Sequence, residues 1–78
     1  MAKKAITNAN ELEFAIFCIE NVADRLSVGA EKVYNVFTKG SDILNGYIVP
    51  EYDILHTQSK EYIVGDIIEL MQEKGVMI

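Results

Sequence analysis

Leu12-Glu13-Phe14-Ala15-Ile16-Phe17-Cys18-Ile19-Glu20-Asn21-Val22-Ala23-Asp24-Arg25-Leu26 carries the pattern that decides the fold. Leu12, Ala15, Ile16, Ile19, Val22, Ala23 and Leu26 recur at spacings of three and four, which draws one apolar stripe down a helix from about residue 8 to 25. Asn8 or Thr7 can cap it. At roughly 1.5 Å per residue the helix is about 27 Å long and serves as the scaffold. Within it, Phe14 to Ile19 is apolar on every side, so Phe14, Phe17 and Cys18 fall on a face beside the main stripe. That second face needs a cover. Either it packs inside the chain near Ile67 and Met71, or it is an interaction face for a second copy or another protein.

Working outward, Ser27 is the expected N-cap of a second helix whose apolar face is Ala30, Val33, Val36 and Phe37, with Glu31 near its positive end. Gly40 is expected to stop it in a left-handed conformation, with Ser41 opening the next helix at once. From Asp42 to His56 the residues Ile43, Leu44, Tyr47, Ile48, Tyr52 and Leu55 keep helical spacing, but Asn45-Gly46 and Pro50 interrupt them. Pro50 lacks a backbone donor and crowds the carbonyl four residues earlier, so this helix is kinked or split. Ser59 or Thr57 then caps a fourth helix, about Lys60 to Lys74, with Ile63, Val64, Ile67, Leu70 and Met71 facing the core. Gly75 ends it, and Val76 folds back toward Met71. Tyr47-Ile48-Val49 is the one β-prone run, and Pro50 cuts it. The expected architecture is all-α: one domain over residues 1–78, a small bundle of four helices with the third broken near Pro50, and residues 1–7 frayed.

Composition fits this reading. The chain has 78 residues, 50% hydrophobic and 24% charged, with one Pro and five Gly, which suits a single small globular domain. Its net charge is -5, and the excess lies wholly in the second half, where Lys60 and Lys74 stand against Asp42, Glu51, Asp53, Glu61, Asp66, Glu69 and Glu73. Nucleic acid and anionic membranes call for a clustered basic patch, so neither is an expected partner. Cys18 is the single cysteine, which excludes an intramolecular disulfide and points to a reducing compartment. No apolar run approaches the roughly 18 to 20 residues that cross a bilayer, and Lys3 and Lys4 are followed by polar residues rather than by the apolar core of a signal peptide. The expected location is the cytoplasm.

Candidate chemistry is sparse. His56 is the one imidazole, suited to proton transfer near neutral pH, but no nucleophile stands beside it, and Thr57 and Ser59 also serve as helix caps. Asp66, Glu69 and Glu73 put three carboxylates on one helix face without any established metal-ligand motif, which reads as a solvated acidic surface. The apolar setting of Cys18 raises its pKa and makes it a core residue rather than a nucleophile. The corner at Gly40 has the outline of a helix-turn-helix, yet its second helix carries Asp42, Glu51 and Asp53 and no Lys or Arg to hold phosphate or guanine.

Tyr52-Asp53-Ile54-Leu55-His56-Thr57, followed by Tyr62-Ile63-Val64 and Asp66-Ile67, with Phe17-Cys18-Ile19-Glu20 upstream, resembles a family of small bacterial proteins known as domain of unknown function three-seven-nine-one. The likeness spans roughly residues 12 to 74, and Pro50 and Gly65 depart from the family's pattern. The family has no assigned activity. Genes of this type can lie near those of ADP-ribosyltransferase-like proteins, which implies an accessory or antitoxin-like binder. The matching residues suggest one polar cluster of His56, Thr57, Tyr62 and Asp66, with a contact from His56 to Asp66. The sequence thus points to a non-catalytic protein-binding module without metal or cofactor, acting on an unknown protein partner or as a homodimer. The alternatives are a helix-turn-helix-like DNA-binding regulator and a small enzyme or metal protein built on His56, Tyr62 and Asp66.

Overall fold

Asn8 sets where the first helix begins. In the computed structural model, which describes residues 6–76, its side chain accepts from the Glu11 backbone N–H at 2.8 Å, while the Glu11 carboxylate accepts from the Thr7 N–H at 2.9 Å and its hydroxyl at 3.1 Å. Donors that the first turn leaves free are thereby answered reciprocally, in the manner of a capping box. Thr7 is held in this way, and residues 1–5 of the expected frayed segment lie outside the described residues. Helix α1 runs Ala9–Leu26. Its buried stripe is turned relative to the expected one: Phe14, Ala15, Cys18, Ile19, Val22 and Ala23 are inside, while Leu12 is 48% and Ile16 45% exposed. A helix apolar all round leaves its rotation open, and burying the large Phe14 ring favours this orientation.

The end of α1 corrects two expectations. Ser27 is not the cap of the next helix; it takes the left-handed conformation at φ 58° and ψ 44°, and the Val28 N–H reaches back to the Ala23 carbonyl at 3.0 Å. This is the helix ending in which a residue just past the last turn adopts positive φ, usually glycine. Helix α2 (Ala30–Asn35) starts after an extended Gly29 with no side-chain cap. It passes directly into a π-helical turn, Val36–Gly40. Gly40 has no positive φ; the turn stops because Ser41 is extended, at φ -160°. The Ser41 hydroxyl satisfies the Val36 carbonyl at 2.7 Å and accepts from the Ile43 N–H.

A second π turn, Leu44–Ile48, and a one-turn α3, Tyr52–Leu55, replace the third helix. Pro50 separates them, as its missing donor requires. Ahead of it, the Val49 N–H spans five residues to the Leu44 carbonyl at 3.0 Å. Helix α4 (Lys60–Glu73) begins at Ser59, which accepts from the Tyr62 N–H at 3.1 Å, and buries Ile63, Val64, Ile67 and Met71. Gly75 closes it at φ 70°, and the Val76 N–H bonds the Met71 carbonyl at 2.9 Å, as the sequence suggests. Helix α1 packs on α2 and α4, and the middle segment fills the remaining side of the core with Phe37, Ile43, Ile48 and Val49. The result is a small all-α domain, 28 × 24 × 21 Å, with no strand among the described residues.

Candidate functional site

The four polar residues expected in one cluster divide between two places. His56 follows α3, with Nδ1 2.6 Å from the Tyr52 carbonyl oxygen. A carbonyl can only accept, so Nδ1 is the donor in this contact. The imidazole stacks on Tyr52 at 4.4 Å and 7° between planes, Tyr52 meets Phe14 edge-on at 5.4 Å, and Phe14 lies 6.2 Å from Phe17. A row of four rings thus runs from the core stripe of α1 to exposed His56 and fixes α3 against α1. Thr57 donates to the Ile54 carbonyl at 2.7 Å; Ser59, not Thr57, caps α4.

Asp66 belongs elsewhere. The expected hydrogen bond from His56 is not formed; Asp66 instead accepts from the Tyr47 hydroxyl, which the second π turn delivers to the side of α4. Desolvation by burial, and then the hydrogen bond to Asp66, hold the Tyr47 phenol above its ordinary range. The phenol is therefore a donor throughout the neutral range, with the charges of Asp66 and Glu51 adding to the negative surroundings. Sequence reading placed Tyr47 in an apolar stripe and missed this role. The available signal was the hydroxyl itself, since a part-buried Tyr seeks a partner and α4 offers carboxylates.

Grooves lie on both sides of this bond. One, of about 300 Å³, is lined by Asp42, Gly46, Tyr47, Leu70 and Lys74. Here a Cβ on Gly46 would sit 3.0 Å from a carboxylate oxygen of Asp42, so a larger residue would push that side chain aside by a few tenths of an ångström. The other, of about 480 Å³ and wide open to solvent, is lined by Glu61, Tyr62, Gly65, Asp66 and Glu69. Tyr62 is 54% exposed at its edge. No group of three or more His, Cys, Asp or Glu among the described residues is placed to hold a metal ion. None of their helices is long and apolar enough to cross a membrane.

Of the two covers expected for Phe14, Phe17 and Cys18, the internal one is found, and they do not form an interaction face. Phe14 and Cys18 are core residues and Phe17 is half-buried against them, so the packing is internal. Burial pushes the Cys18 thiol up to about 12, which leaves no thiolate for chemistry. Among the described residues, the large apolar side chains left in solvent are instead Leu12 and Ile16 on α1, Ile54 on α3, Tyr34 on α2 and Tyr62 on α4.

A family model described as "Protein of unknown function (DUF3791)" matches residues 13–74. This span takes in α1 from its second turn to the end of α4, including both halves of the divided polar cluster. No curated protein and no solved structure matches the chain.

Proposed function

The chain belongs to this family of proteins of unknown function, and from that premise we propose that it is a non-catalytic protein-binding module of the bacterial cytoplasm. The observation that carries the reading is the pair Leu12 and Ile16, one turn apart on α1 and each nearly half exposed. Their exposure is not forced by a shortage of core, because the same helix buries six other apolar side chains, from Phe14 to Ala23. Other features agree with binding rather than turnover. His56 uses Nδ1 on the Tyr52 carbonyl, the thiol is buried, and the grooves are open rather than enclosing. The family resemblance suggests one partner to try first, an ADP-ribosyltransferase-like protein encoded nearby, for which this chain would be an accessory or antitoxin-like subunit.

The test is capture of partners by the tagged chain from native lysate, and by co-expression with that neighbour, beside a Leu12→Ser, Ile16→Ser variant whose fold is checked by circular dichroism. A near-stoichiometric partner lost in the folded variant is the expected result. Light scattering reports a homodimer through the same variant. A wild-type chain that is monomeric and captures nothing overturns the reading.

A further inference from the structure

Helix α4 carries much of the chain's negative excess, as Glu61, Asp66, Glu69 and Glu73. Three of these carboxylates line the wide groove with Tyr62 and Gly65. Gly65 lies in the middle of a helix of 14 residues, where glycine is the least favourable residue after proline. A Cβ there would meet nothing within 4 Å, so the chain's own packing gives no reason for it. What Gly65 does provide is a bare floor between Tyr62, one turn earlier, and Glu69, one turn later. The Asp66 wall is already fixed in position, because its Oδ2 receives the Tyr47 hydroxyl and leaves Oδ1 as an acceptor.

We propose that this face of α4 docks a basic segment of a protein partner, with an arginine side chain lying across Gly65, its guanidinium stacked on Tyr62 and hydrogen-bonded to the Asp66 and Glu69 carboxylates. The proposal rests on the protein-binding reading above and states the partner's chemistry. Charge complementarity selects a cation, since the groove lining offers three carboxylates, a phenol and a glycine. The combination of an exposed aromatic face with carboxylates selects arginine over lysine, because the guanidinium is planar, stacks, and donates in a fork that a point charge cannot reproduce. The bare glycine lets the flat group approach the helix backbone closely.

Titration of the full isotope-labelled chain with the peptide Ac-Ala-Ala-Arg-Ala-Ala-Arg-Ala-Ala-NH2, followed by amide shifts, tests this against matched lysine and citrulline peptides. The expected shifts centre on residues 61–69, with the arginine peptide strongest and citrulline silent. Gly65→Ala should raise the melting temperature by about 4 °C while weakening the peptide roughly tenfold, a pairing that a merely structural glycine would not give. Tyr62→Ala should weaken it roughly fivefold. Shifts spread equally over Glu20, Asp24 and Asp53, an equal response to citrulline, or unchanged binding by Gly65→Ala overturns the proposal. If a native partner is captured through Leu12 and Ile16 yet is held equally well by Gly65→Ala, the binding module stands and this docking site falls; if no partner is captured by any form, both fall.

Discussion

Helix α1 and the segment from Val36 to Leu55 are both deeply buried, yet their backbones are held by opposite means. Helix α1 is 18 residues of regular hydrogen bonding, capped by Asn8 and Glu11 at one end and closed through Ser27 at the other. The middle segment is two π turns and a single α turn, none longer than five residues. Segments this short have no helical stability of their own. Nevertheless Phe37, Ile43 and Ile48 are all at 0% exposure, matching Val22 and Cys18 of α1. Local signals write the long helix, whereas side-chain burial holds the irregular one in place and lets its backbone take geometry that isolated peptides avoid.

The largest test of this contrast is Phe37→Ala. Truncating a fully buried Phe costs about 3–5 kcal/mol, against a total stability of about 4–12 kcal/mol for a chain of this size. We expect chemical denaturation to show a loss of that size, a large share of the total, while Ile16→Ala on the solvent side of α1 changes stability by less than about 0.5 kcal/mol. A mild Phe37→Ala would break the comparison by showing that local turns carry the segment.

Tyr47→Phe comes next, at about 1–2 kcal/mol, since it removes a side-chain bond that ties the second π turn to α4. Its pH dependence has a definite sign. Tyr47 is protonated in both states below its ordinary value of 10.0, so its contribution is complete there. Above that the unfolded chain loses its proton first, and stability falls as the pH climbs toward the raised folded value. Cys18 acts in the same direction, from 9.0 to about 12. Urea midpoints should therefore decline from about pH 9 upward in the wild type, and Tyr47→Phe should flatten the part beyond 10.0.

Smaller changes at the ends of α1 sharpen the other side of the comparison. Asn8→Ala should cost about 1 kcal/mol through the lost cap. Ser27→Gly should add about 1 kcal/mol by relieving a side chain held at positive φ. Were Ser27 the cap of α2 instead, glycine would give no gain; thermal melts distinguish the two.

Much of the fold could be read directly. The stripe with Asn8 or Thr7 placed α1, Ser59 or Thr57 placed the start of α4, Gly75 and Val76 placed its end, and Pro50 placed the break; the structure takes Asn8 and Ser59. Each is a signal confined to a few neighbouring residues, where propensity and capping act. The candidate site was less legible. His56 and Asp66 share a sequence pattern, but which partner each takes depends on how α3, α4 and the second π turn come together. The bond that formed joins Tyr47 to a residue 19 positions away.

By itself, then, the sequence determined an all-α domain, the positions of its long helices and the absence of a reactive thiol, because period, caps and composition act locally. Tertiary structure alone decided which way α1 faces, leaving Leu12 and Ile16 outside, and that Asp66 answers Tyr47 rather than His56. Phe14 to Ile19 is apolar on every side, so periodicity could not fix its rotation; packing against α2, α4 and the Tyr52 ring did.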